Sequence, residues 1–167
     1  MGRLQLATRR DKTNYYLDIA ETVLARGTCL RRNYGAILVK NDEIIATGYT
    51  GAPRGRANCI ELGYCERMRL NIPSGQMYEK CRSVHAEANA IISAARRDMI
   101  GADLYLAGIE MEDGSYVSNA TSCSMCKRLV INAGIARVII RDNRDLFRIV
   151  DVQRDWIEND DSLGVRL

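Results

Sequence analysis

Apolar residues along this chain fall into two rhythms, one of helical spacing and one of short continuous or alternating runs. After a polar start, Tyr16, Ile19, Ala20, Val23 and Leu24 share one face of a helix that Asp11 or Thr13 can cap and Gly27 ends. Tyr34 to Val39 and Glu43 to Tyr49 are apolar runs split by Lys40-Asn41-Asp42, which predicts a hairpin with a tight polar turn. A second helix is predicted from Val84 to about Arg97, with Ala88, Ile91, Ile92 and Ala95 as its apolar face. Ala102 to Ala107 reads as a strand, and Glu112-Asp113-Gly114-Ser115 as a turn in an inserted excursion. A third helix begins near Ser124 and ends at Gly134, and Ala136 to Ile140 forms another buried strand.

Two stretches break the rhythm. Residues 50–82 hold both prolines, Pro53 and Pro73, several glycines and three cysteines, Cys59, Cys65 and Cys81. A structureless loop of that length is uncommon in a compact domain, so it is expected to be functional or cross-linked. The tail, 142–167, mixes acidic residues with Phe147, Ile149, Val150, Val152, Trp156 and Ile157, and should add a strand or helix. The order α-β-β-α-β-α-β plus a tail argues for a layered α/β domain with helices on both faces of one sheet.

The 167 residues suit one domain, residues 1–167, and the 47% hydrophobic and 27% charged content is that of an ordinary globular protein. No apolar stretch approaches the roughly 18 residues of a membrane span, and the N-terminus lacks the apolar core of a signal peptide. A net charge of +3 is too mild to argue for nucleic acid and suits a nucleotide equally well. Six cysteines without a secretion signal point to reduced thiols, a cytoplasmic location, and metal ligands or core fillers.

The chemistry centres on the only histidine. His85-Ala86-Glu87 opens the second helix, and Cys123-Ser124-Met125-Cys126 opens the third. One imidazole and two thiolates make three zinc ligands and leave a fourth tetrahedral position for water. Cysteines three apart share a helix face, and a helix N-terminus lowers thiol pKa. Glu87 can move protons without binding the metal. Taken alone, the histidine could be a plain surface residue and the cysteine pair a redox or structural motif; their conjunction matches the signature of zinc deaminases of nucleobases.

Three runs make the resemblance specific: Asn33-Tyr34-Gly35-Ala36-Ile37-Leu38-Val39-Lys40, Ala46 to Gly55, and His85-Ala86-Glu87-Ala88-Asn89-Ala90-Ile91. Together with Gly134-Ile135-Ala136-Arg137-Val138 they resemble the deoxycytidylate (dCMP) deaminase branch of the cytidine deaminase superfamily, over about residues 13–141. The resemblance implies a three-layer α/β/α fold around a central mixed sheet of about five strands. It implies hydrolytic deamination of dCMP to dUMP, supplying thymidylate synthesis, with zinc on His85, Cys123 and Cys126 and Glu87 as proton shuttle. Backbone contacts to the base would come from Ala86 and from Ser122. The family's usual proline before the first cysteine is Ser122 here, and its Gly-Tyr-Asn-Gly reads Gly48-Tyr49-Thr50-Gly51, so the sugar contact of that asparagine falls to Thr50.

Some members of that family carry a second, structural zinc with cysteines matching Cys29 and Cys59; Cys65 and Cys81 would complete a closed four-thiolate site. Core packing and free thiols are the alternative. For a phosphate clamp, Arg26, Arg31 and Arg32 precede the first strand, and Arg54 and Arg56 lie in the glycine loop. Tyr105 could line the base pocket or pack in the core. Relatives are usually oligomers, often hexamers, regulated by dCTP and dTTP with Mg2+. Competing readings are a deaminase of dCTP, of a modified deoxycytidine nucleotide or of a free nucleoside, and a non-catalytic zinc- or nucleotide-binding module. An RNA-base enzyme should show a basic stripe with stacking aromatics, which one Phe and one Trp do not supply.

Overall fold

In the computed structural model, which describes residues 8–165, Asp11 caps the first helix, α1 (Lys12–Leu24), by accepting the Asn14 N–H. Asn41 and Asp42 both take positive φ, 51° and 65°, the twist a two-residue hairpin needs. They join β1 (Arg32–Lys40) to β2 (Glu43–Tyr49). The excursion through 50–82 is not structureless: it carries two one-turn helices, α2 (Cys59–Leu62) and α3 (Glu66–Arg69), and a 3-10 turn at Tyr78–Lys80.

The predicted second helix is shorter than its sequence suggests. It divides into α4 (Ala86–Ile92) and the single turn α5 (Arg96–Met99). At the break the Ser93 hydroxyl donates to the Asn89 carbonyl, and a side chain bonding back to the helix competes with the regular ladder. The apolar face is also rotated. Ala86, Ala88 and Ala90 are buried, whereas Ile92 stands 74% exposed.

A five-stranded sheet in the order β2-β1-β3-β4-β5 joins β1 and β2 to β3 (Asp103–Glu110), β4 (Arg137–Arg141) and β5 (Phe147–Asp151). Only β3–β4 is parallel; the other pairs are antiparallel, so the sheet is mixed as expected. The predicted tail supplies β5 and then a π-helical turn, Val152–Ile157.

Alternation along β1 and β3 divides the core in two. Ala36, Leu38, Leu104 and Leu106 point to the side covered by α4 and by α6 (Ser124–Ala133), where Val130 and Trp156 complete the packing. Ile37, Val39, Tyr105 and Ala107 point to the side covered by α1, against Tyr16, Leu17 and Ala20. Glycines let the helices press close: a Cβ at Gly35 would lie 2.0 Å from the Ala20 carbonyl of α1, and one at Gly48 2.3 Å from the Ala86 carbonyl of α4. Among the described residues, no helix is long and apolar enough to cross a membrane.

Candidate metal centre and cleft

The two helix starts lie side by side on one face of the sheet. His85 is the N-cap of α4 and Cys123 the N-cap of α6, with Cys126 in the first turn of α6. His85 Nδ1 lies 3.4 Å from the sulfur of Cys123 and 3.4 Å from that of Cys126. Zinc bonds of about 2.0 Å to nitrogen and about 2.3 Å to sulfur, opened to the tetrahedral angle, place such atoms roughly 3.5 Å apart. The donor set therefore fits the ion. Among the described residues this is the one group of three or more such ligands whose atoms lie within 4.8 Å of each other.

The thiols are poised for it. A hydrogen bond from Cys126 draws the Cys123 thiol down to about 4, with His85 adding to the effect. The same bond, with burial, pushes Cys126 up. The Cys123 hydrogen bond raises His85, while burial opposes the rise. Glu87 is 5% exposed, and burial lifts its carboxyl above the usual range. Ser122 is fully buried beside Glu87 and lowers that carboxyl slightly, although its Oγ makes no hydrogen bond of normal geometry.

A cleft opens from this centre. His85, Ala86, Glu87 and Cys123 line it together with Thr50, Tyr34, Arg31, Arg32, Arg67 and Tyr78. Arg32 is paired with Glu110 at 2.7 Å. The Arg31 guanidinium has no ion pair or hydrogen bond among the described residues. The Thr50 hydroxyl accepts the Tyr34 N–H at 3.1 Å, which ties β1 to the segment after β2.

The arrangement unites His85, Ala86, Glu87, Ser122, Cys123 and Cys126, and brings Thr50 and Arg31 to the same cleft. Arg26 and Arg54 are exposed and do not line it. Tyr105 does not line it either: on β3 it points to the α1 side and packs on Tyr16 with ring centroids 5.1 Å apart. Strand alternation could have excluded it, since Tyr105 is out of phase with Leu104 and Leu106. Tyr34, Arg67, Tyr78 and Ser83 line the cleft without any expectation from the sequence. Tyr34 lies within a recognised run, but the loop residues Arg67 and Tyr78 are brought in by the path of 50–82, which no local pattern encodes.

Cys29, Cys65 and Cys81 line the same cleft, with Cys59 buried nearby. Burial raises Cys59, and Cys29, Cys65 and Cys81 raise it further, but no three of these four sulfurs lie within 4.8 Å of one another. All six cysteines are free thiols.

Residues 10–141 match the family model described as the cytidine and deoxycytidylate deaminase zinc-binding region. The chain is similar to a deoxycytidylate deaminase of Mycobacterium phage D29, 36% identical over 136 residues, covering 79% of this chain and 95% of the phage protein. It is also similar to a deoxycytidylate deaminase of Schizosaccharomyces pombe, 31% identical over 126 residues, where it spans 35% of the yeast protein. The fold resembles that of dCMP deaminase from the cyanophage S-TIM5, solved in complex with dCMP and dUMP: TM-score 0.57, 23% identity, 95% of this chain and 96% of that one.

Proposed function

Because this chain belongs to the cytidine and deoxycytidylate deaminase family, we propose that it hydrolyses dCMP to dUMP and ammonia, supplying dUMP for thymidylate synthesis. One observation carries the reading: the His85, Cys123 and Cys126 ligand atoms lie within 4.8 Å of one another, and the buried Glu87 lines the same cleft as His85 and Cys123. Zinc held by those three side chains supplies Lewis acidity and makes a water molecule acidic enough to attack at neutral pH.

The chain's own groups do the rest. Glu87 takes the proton from the attacking water, delivers it to the ring N3 of cytosine, and later protonates the departing amine. Its burial keeps bulk water from competing for that proton. Cys123, Cys126 and His85 would hold the ion. Backbone contacts to the base are assigned to Ala86, which lines the cleft, and to Ser122, as the family resemblance implies. Arg31 supplies an unpaired guanidinium along the cleft, suited to the 5′-phosphate. The phage D29 relative, matched over nearly its whole length, supports dCMP as the substrate over dCTP or a free nucleoside.

The test is ammonia release across dCMP, dCTP, CMP, deoxycytidine and 5-methyl-dCMP. The native protein should prefer dCMP, and Glu87→Gln should lose about 10²- to 10⁴-fold in kcat with zinc still bound. Equal activity in both proteins would remove the mechanism, and a preference for deoxycytidine over dCMP would remove the phosphate assignment.

The reading includes a second, structural zinc on Cys29, Cys59, Cys65 and Cys81, supported by Cys29, Cys65 and Cys81 lining one cleft and by their influence on the buried Cys59. Elemental analysis should give about two zinc per chain and about one in a Cys65→Ser/Cys81→Ser variant; one in the native protein would refute it. Residues 1–167 are read as a single deaminase domain, supported by β5 completing the same sheet. Free thiols support a reducing, cytoplasmic setting, and exposed Ile92, Met125 and Leu129 support self-association.

A further inference from the structure

His85 is held by an arrangement that differs from the usual one for a metal ligand. A ligating imidazole ordinarily donates its second ring N–H to a carboxylate, a carbonyl or water, and that bond fixes the ring plane. Here the polar contacts of the ring run through Nδ1 to the two sulfurs, and among the described residues no protein group accepts from Nε2. What packs the ring is Tyr78. The two rings meet at 90° with centroids 5.0 Å apart.

Tyr78 lies in the cysteine-containing loop, and Arg67 fixes that loop in place. Arg67 is 6% exposed, and its guanidinium carbon sits 4.4 Å from the centre of the Tyr78 ring. Its Nη2 donates to the Pro73 carbonyl at 2.7 Å and the Gln76 carbonyl at 2.6 Å, so one nitrogen holds the chain just before Tyr78 at two points. The guanidinium has no carboxylate partner among the described residues, and its Nε is buried without an acceptor. Burying an unpaired cation is costly, and a side chain that merely shaped a surface loop would carry the same bonds from an exposed position.

We propose that Arg67 and Tyr78 are positioning residues for the metal centre: Arg67 clamps the loop, Tyr78 packs edge-to-face on the imidazole, and His85 is held with Nδ1 directed at the sulfurs. This edge-to-face contact does the work that a hydrogen bond from Nε2 does elsewhere. This rests on the zinc ligands of the proposed function and not on its substrate.

Because His85 is the only histidine, ¹⁵N-histidine labelling of the full chain reports on this ring alone. Zinc is titrated against a competing chelator, following the Nδ1 and Nε2 signals. In the native protein a single Nδ1-ligated form is expected. Tyr78→Leu should weaken zinc binding at His85 by about 10- to 100-fold and split or broaden the imidazole signals. Tyr78→Phe, which keeps the ring, should stay near native. Arg67→Lys keeps the charge but loses the planar fork, and should fall with Arg67→Met. Thermal unfolding of each metal-free variant verifies that it is folded. Unchanged zinc affinity and imidazole signals in Tyr78→Leu would overturn the proposal, as would a loss in Tyr78→Phe equal to that in Tyr78→Leu. A native protein that ligates zinc through Nδ1 but releases no ammonia from dCMP would sink the substrate reading and leave this inference standing.

Discussion

Gly48 holds the catalytic helix at its working distance. A side-chain carbon there would lie 2.3 Å from both the Ala86 carbonyl and the Ala90 N–H, which are backbone atoms that cannot turn aside. The whole of α4 would have to lift, and His85 and Glu87 ride on its first turn. Gly48→Ala should therefore cost about 1–3 kcal/mol, visible in urea unfolding, and should weaken zinc binding as well. An unchanged unfolding midpoint would mean that the helix is free to move off the sheet. The sequence marks Gly48 only as part of a recognised run; the reason for it appears once β2 and α4 are seen to touch.

Among the elements, α6 and its N-cap carry two of the candidate ligands, Cys126 and Cys123, and α6 is braced from the tail. Lys127, next to Cys126, donates to Asp160 at 2.7 Å, and both side chains are 17% exposed. The Lys127 ammonium also lies 5.4 Å from the centre of the Trp156 ring. The hydrogen bond from Lys127, followed by that from Ser162, holds the Asp160 carboxyl down at about 2. A carboxyl depressed in the folded state contributes stability above its unfolded value near 4. That contribution is lost as the pH falls from about 4 toward 2. Asp160→Asn should lower stability near neutral pH by roughly 1 kcal/mol and flatten the acid limb of the pH–stability curve. Urea unfolding at pH 7, 5 and 3 checks this, and parallel curves for the two proteins would refute it. Arg148 of β5 adds a second brace, donating to the Ala120 carbonyl at 2.7 Å in the loop that leads to Cys123.

Across the whole molecule, what could be read in advance was whatever repeats at short range. Alternation placed the hairpin, β3 and β4, and helical spacing placed α1 and α6, because burial of one face follows the backbone period directly. The ligands were legible because His85-Ala86-Glu87 and Cys123 to Cys126 keep their chemistry in fixed local spacing. The break after Ile92 was hidden, since Ala94, Ala95 and Arg96 are good helix formers and the break comes from a serine bonding backwards. Arg67 and Tyr78 were hidden for a different reason. They reach His85 only because the chain between 50 and 82 folds back on the cleft, and no local rhythm records that path.

The two halves of the ligand set are 38 residues apart, and the central strand β3 lies between them. An ion gripping His85 and Cys123 together therefore closes a loop around the strand on which the rest of the sheet is assembled. In the unfolded chain that closure costs conformational entropy, and in the folded chain β1 and β4 have already met it by flanking β3. Metal and fold would thus be linked: a molecule that gave up a zinc held there would also lose a cross-link between the starts of α4 and α6 on one face of the sheet.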